Sequence, residues 1–97
     1  MSKKNWQSFQ VPVFFMKEGK IFICFAPALD LVAHGDSFDD ALASFEETLQ
    51  LFVEEITRMG SWSQVFAEYG WQKIGKRYIP PEMIGQTFKT LSIPAVA

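Results

Sequence analysis

The chain has 97 residues and a mass of 11.1 kDa, enough for one domain around one core and too little for a catalytic domain joined to a separate regulator. Hydrophobic residues make up 48% and charged ones 21%, a balance that can bury a core and that excludes a disordered chain. The net charge of −2 gives no overall attraction to a phosphate backbone and weighs against a general nucleic-acid binder.

From Phe9 to Ala26 the chain is dense in β-branched and aromatic residues, interrupted only by Lys17-Glu18-Gly19-Lys20. This pattern predicts a β-hairpin. With Glu18-Gly19 as a two-residue loop, Lys17 faces Lys20 and the pairs Met16/Ile21, Phe15/Phe22, Phe14/Ile23, Val13/Cys24, Pro12/Phe25 and Val11/Ala26 follow. One face then carries Val11, Val13, Phe15, Phe22, Cys24 and Ala26. The other carries Pro12, Phe14, Met16, Ile21, Ile23 and Phe25. Both are apolar, so each needs a cover. The first has the smaller side chains and suits close approach of a helix. The second, with Phe14, Met16, Ile21, Ile23 and Phe25, is too apolar to leave in water and predicts self-association, most simply as a symmetric dimer.

Pro27 ends the second strand, and Leu31 to His34 is apolar enough for a third. Ser37, with Asp40 three residues on, is a helix N-cap signature, and Asp36, Asp39 and Asp40 sit at the positive end of the helix dipole. From Phe38 onward, Phe38, Ala41, Leu42, Phe45, Leu49, Phe52, Val53, Ile56 and Met59 fall on a stripe about 120° wide, which predicts a core-facing amphipathic helix ended by Gly60. Such a helix rises about 31 Å, against about 20 to 23 Å for strands of six or seven residues. Its far end must find another apolar partner, and Trp62, Val65 and Phe66, at helical spacing before Gly70, are the nearest. After Trp71 the chain is polar and basic, broken by Pro80-Pro81, and residues 72–97 read as an irregular extension in which Gln86 to Ile93 has the composition of a last strand. The expected fold is α+β: one domain over residues 1–97 with an antiparallel sheet of three or four strands on one long helix, plus a short second helix, in the order β-β-β-α-α-β.

The sequence carries little that reads as catalysis. His34 is the single histidine and Cys24 the single cysteine, so no ligand spacing for zinc exists and no internal disulfide can close. A hydrolase centred on His34 lacks a Ser, Cys or second carboxylate at motif spacing, and a solvent-facing histidine beside a turn is the simpler reading. Cys24, between Ile23 and Phe25, reads as a small core residue with a raised pKa. With no Walker, Rossmann or nucleophile-elbow pattern, the expectation is a non-catalytic protein without cofactor. The absence of a charged-then-apolar leader at Met1 to Gln10, together with cysteine usage, suggests a cytoplasmic setting, and no apolar run approaches the roughly 20 residues that cross a bilayer.

Charge is unevenly spread. Eight of the eleven acids lie between Asp30 and Glu55, and no Lys or Arg occurs from Ile21 to Thr57. Asp39, Asp40, Glu46, Glu47 and Glu54 therefore make the polar side of the first helix acidic, with Leu51 among them; this is either a solvated face or a surface for a basic protein. The cations Arg58, Lys73, Lys76, Arg77 and Lys89 cluster in the C-terminal half with Trp71 and Tyr78, and supply the alternative of an RNA-binding module.

The block Ala26-Pro27-Ala28-Leu29-Asp30-Leu31, followed by Gly35-Asp36-Ser37-Phe38-Asp39-Asp40-Ala41, has the pattern of hairpin, Pro-x-Leu, short strand, Gly and acidic helix start. Over Phe9 to Glu55, about half the chain, it resembles the HicB-like antitoxins of prokaryotic toxin-antitoxin systems. The resemblance implies a three-stranded sheet on a long helix, a partial ribonuclease-H-like fold without that enzyme's metal-binding carboxylates. It also implies a protein that binds a small basic HicA-type ribonuclease toxin and blocks it by occlusion, or an orphan relative of such proteins. Asp36, Asp39, Asp40, Glu47, Leu51 and Glu54 become the expected partner-binding residues. Many members bind operator DNA through an added C-terminal domain, but the twenty-six residues after Trp71 hold no helix-turn-helix or ribbon-helix-helix pattern, and DNA binding is not carried over.

Overall fold

Gly19 sets the first hairpin. In the computed structural model, which describes residues 7–95, Gly19 has a φ of +61° while Lys20 does not enter the positive-φ region. That is the signature of a two-residue turn with glycine at its first central position. Strands β1 (Phe14–Glu18) and β2 (Ile21–Ala26) accordingly pair Phe14 with Phe25, Phe15 with Cys24, Met16 with Ile23 and Glu18 with Ile21. The expected loop at Glu18-Gly19 is thus displaced by one residue, because it would have placed Glu18 where the turn takes glycine. Cross-strand partners shift by two residues, and since side chains alternate with period two, every residue keeps its expected face. The ladder starts at Phe14 rather than Val11. Pro12 has no N–H to contribute, and Val11 and Val13 pack instead against two different parts of the core.

Pro27–Leu29 forms a single 3-10 turn closed by Asp30 at φ +52°, whose N–H donates to the Pro27 carbonyl. Strand β3 (Leu31–Gly35) then runs antiparallel to β2, giving the sheet order β1-β2-β3. Helix α1 (Phe38–Met59) follows. Ser37 caps it by accepting from the Asp40 N–H at 3.0 Å, and Gly60 closes it at φ +67°, donating to Ile56 and Thr57. Replacing Ser37 with Ala frees an N-terminal donor and is expected to cost about 1 kcal/mol. An unchanged denaturant midpoint in that variant would show that the cap contributes nothing.

α1 lies on the Val13, Phe22, Cys24 and Ala26 face of the sheet, as the smaller side chains there require. Cys24, Ala26, Ala33, Ala41 and Phe45 are buried together in this first cluster. A 22-residue helix rises about 33 Å and the strands cover about 20 Å or less, so its second half runs past the sheet. There helix α2 (Trp62–Glu68) folds back, and Ala28, Leu29, Phe66 and Trp71 form a second cluster with Phe52 and Trp62 against it. Leu31 and Leu49 touch both clusters and join them. The stripe read from sequence faces this core, except at its ends, where Phe38 and Met59 are exposed. Phe38 stacks on Phe15 at 4.4 Å between ring centroids.

The C-terminal part differs from expectation. A small hairpin of β4 (Gln72–Ile74) and β5 (Arg77–Ile79) forms around Gly75 at φ +64°, inside the stretch read as irregular. Gln86 to Ile93, read as a last strand, pairs with nothing; residues 80–95 have no regular structure and 81–95 are all exposed. The radius of gyration is 16.9 Å, well above the roughly 12 Å of a compact chain of this length. The fold is α+β, with a three-stranded antiparallel sheet, a long helix, a short helix and a separate two-stranded sheet.

Candidate functional site

The polar side of α1 is set by the same periodicity that buries its apolar stripe. Asp39, Asp40, Glu46, Glu47 and Glu54 are all exposed along the helix, Glu46 on the flank nearer the sheet, and Asp36 is exposed just before the cap. Leu51 stands among them at 58% exposure. Asp40 and Glu54 are fourteen residues apart, so the row extends about 21 Å along the helix. Glu54 accepts from the Gln50 side-chain amide at 3.1 Å, and the one ion pair among the described residues joins Glu55 to Arg58, one turn beyond Glu54. That pair holds the Glu55 carboxyl below its ordinary range, first through the hydrogen bond from Arg58 and then through its charge. The expected partner-binding residues are therefore brought onto one exposed strip, backed by the first cluster at its start and by the second cluster at its far end.

The opposite face of the sheet is the second exposed surface. Phe14, Met16, Ile21, Ile23 and Phe25, assigned from sequence to one face, do share it, and β3 adds Val32 and His34 through the pairs Phe25/Val32 and Ile23/His34. Met16 is 61% and Val32 58% exposed, and none of these side chains joins either core cluster.

Cys24 and His34 lie on opposite faces of the sheet, because Cys24 pairs with Ala33 and His34 with Ile23. They do not converge into a nucleophile and base. Burial pushes the Cys24 thiol up, and the Glu46 carboxylate adds to the shift, so the thiol is held in its less reactive form. Among the described residues no three His, Cys, Asp or Glu side chains converge on a point where a metal ion could sit. No helix of the described residues is long and apolar enough to cross a membrane.

The chain matches no family model, no curated protein and no solved structure.

The basic and aromatic residues of the C-terminal half are placed for packing. Trp71 is buried, stacks on Phe66 at 4.3 Å, and donates its indole N–H to the Ala28 carbonyl at 2.7 Å. Tyr78 is half-buried against Phe66, with Lys73 over its ring at 5.7 Å. Neither ring presents a free face of the kind on which a base stacks. Beside them lies a feature the sequence did not announce, a cleft of about 460 Å³ between the second half of α1 and α2, lined by Phe9, Val11, Leu49, Val53, Trp62 and Tyr78. Its walls come from five separate segments, and no local periodicity gathers them. Among the described residues its polar lining is Gln7, Thr57 and the polar edges of Trp62, Trp71 and Tyr78, so it reads as a loosely closed part of the core.

Proposed function

We propose that the protein is a HicB-like interaction module that holds a small basic protein, of the HicA-type ribonuclease class, against the acidic side of α1 and inhibits it by occlusion. The observation that carries this reading is the strip Asp36, Asp39, Asp40, Glu47 and Glu54 with Leu51 in its midst. It offers several carboxylates that are not engaged by a described cation, on a helix whose opposite side is fixed by the sheet and, beyond it, by the second cluster. Separated carboxylates attract a cationic partner and set its register, while an exposed leucine among them gives a desolvated contact at the centre. The agreement of the Pro27 to Ala41 pattern with a sheet of three strands, a 3-10 turn and a capped acidic helix supports the same reading.

The test is the triple reversal Asp40→Lys, Glu47→Lys, Glu54→Lys, assayed for binding to a HicA-type toxin by calorimetry at two salt concentrations. All three side chains are exposed, so folding is expected to survive with a total loss on the order of 1 kcal/mol, chiefly from Asp40 at the helix dipole. Affinity for the toxin is expected to fall at least tenfold. Toxin binding that is unchanged by the reversal would remove this surface from the interaction, and a loss of folding would show that the strip is structural. Binding to RNA oligomers that falls steeply with salt, with none to the toxin, would transfer the function to the basic C-terminal half.

A further inference from the structure

We propose that two copies of this chain exchange C-terminal arms, residues 82–95 of each lying across the open sheet face of the other. This goes beyond the docking of a basic partner on α1 and does not rest on it, since the sheet face and the acidic strip are on opposite sides of the molecule.

The chain displays two apolar surfaces that no other described residue covers. One is the sheet face, where Met16, Ile21 and Val32 are exposed beside half-buried Phe14, Ile23 and Phe25. The other is the arm, where Ile84 is 93%, Phe88 89% and Leu91 83% exposed, with Met83 and Ile93 also in solvent. Exposed apolar area of this extent on a soluble chain marks a contact surface. The two are complementary in form, one broad and flat, the other narrow and extended.

The arm is launched away from its own body. Pro80 and Pro81 fix φ at successive positions and restrict the residue before each, so the chain leaves β5 stiff and extended. Its root lies in a shallow groove with Gln10 and Pro12. Pro12 lies two residues before Phe14, where β1 and the open face begin. The arm therefore departs from beside the start of β1, at the end of the open face. From Glu82 to Ile93 an extended chain spans about 40 Å, enough to pass from one body to another and cover a sheet about 20 Å long. Thr87, Phe88, Thr90 and Ile93 are strand-forming residues that have no ladder within their own chain. Lys89 in the arm also has an opposite charge to meet, Glu18 at the hairpin end of the open face.

Size distinguishes exchange from simple face-to-face stacking. The open face alone offers about seven residues per copy, well short of the 20–30 a side typical of a stable interface. Adding fourteen residues of arm brings each copy to about twenty, and two-fold symmetry supplies both contacts at once. The swap closes the assembly and leaves neither apolar surface in water.

The experiment is light scattering of the full chain beside its Phe88→Asp/Leu91→Asp variant, with both helix contents checked by circular dichroism. The expected result is a particle of twice 11.1 kDa for the natural chain and a monomer of unchanged helicity for the variant, its dimer dissociation constant raised at least 100-fold. A second measurement places the arm: in a Cys24→Ala background, Val32→Cys and Leu91→Cys are oxidised together and run on a non-reducing gel. Cross-linked dimers support exchange. A natural chain that stays monomeric at millimolar concentration would overturn the proposal. So would a dimer indifferent to the two aspartates, or a cross-link closed within one chain, which would assign the face to the molecule's own arm.

Discussion

Truncation of Trp71 to Ala is expected to be among the most damaging single changes in the chain, costing about 3–5 kcal/mol of stability. The indole is buried, stacked on Phe66 at 4.3 Å and met edge-on by Phe9 at 5.1 Å, and it is the piece that fixes the second cluster to the 3-10 turn. Its removal opens a cavity among rings that cannot collapse, since Phe66 is held from the other side by Trp62 at 5.3 Å and Tyr78 at 4.5 Å. It also strands the Ala28 carbonyl, which accepts the indole N–H at 2.7 Å. Trp71→Phe separates the two contributions. It keeps most of the packing, loses the donor, and is expected to cost about 1–3 kcal/mol, the penalty for a buried acceptor left alone. Equilibrium denaturation of both variants gives the answer. A domain of this size has on the order of 5–15 kcal/mol in total, so the alanine variant should be near the edge of folding. A loss below about 1 kcal/mol in Trp71→Ala would mean that the second cluster is not part of the cooperative unit.

How much of this was visible in the sequence depends on the range of the interaction. Ser37, Gly60 and the stripe from Ala41 to Ile56 act within one or a few helical turns, and each appears where local chemistry places it. The faces of the first hairpin survive even though its register was misread, because alternation is insensitive to a shift of two residues. The register itself turned on a single backbone angle, that of Gly19, and a sequence shows which residues tolerate positive φ without showing which turn position they occupy. The overhang of α1 was deducible by arithmetic on rise per residue. Its partners Trp62 and Phe66 were the nearest apolar candidates, and they do pack there. Trp71 was harder. Its bond to Ala28 spans 43 residues, and a tryptophan beside lysines looks equally suited to a base or to a core until the carbonyl is seen. For residues 82–95 the strand-like composition of Gln86 to Ile93 was legible, but pairing needs a second strand, and none among the described residues provides it. Of the candidate site, the acidic strip followed directly from helical periodicity. The breadth of the open sheet face did not, because Val32 and His34 join it only through the pairing of β3 with β2.

Gly35 is the second position where a small change should have a large effect, and the reason is space rather than backbone angle. A methyl group built on its Cα would lie 2.5 Å from the Ala41 nitrogen and 2.7 Å from the carbonyl carbon of Asp40. These are main-chain atoms of the first turn of α1, locked by the Ser37 cap, and they have no rotamer by which to withdraw. Gly35→Ala must therefore push the helix start away from the end of β3. This is overpacking against rigid backbone, expected to cost at least the roughly 1–3 kcal/mol of an overfilled core, with Gly35→Val higher still. Gly19→Ala is the contrasting control. Nothing lies within 4 Å of its added carbon, and it should lose only about 1–2 kcal/mol through its positive φ. Denaturant midpoints for the pair separate steric displacement from conformational strain, and a Gly35→Ala loss no larger than that of Gly19→Ala would show that the sheet and helix can part there freely. The same displacement bears on function. Asp36, Asp39 and Asp40 occupy the segment that would move, so Gly35→Ala molecules that still fold should bind a basic partner more weakly without any change in charge. A folded Gly35→Ala variant with undiminished affinity would confine the proposed docking contacts to positions farther along the helix, at Glu47, Leu51 and Glu54.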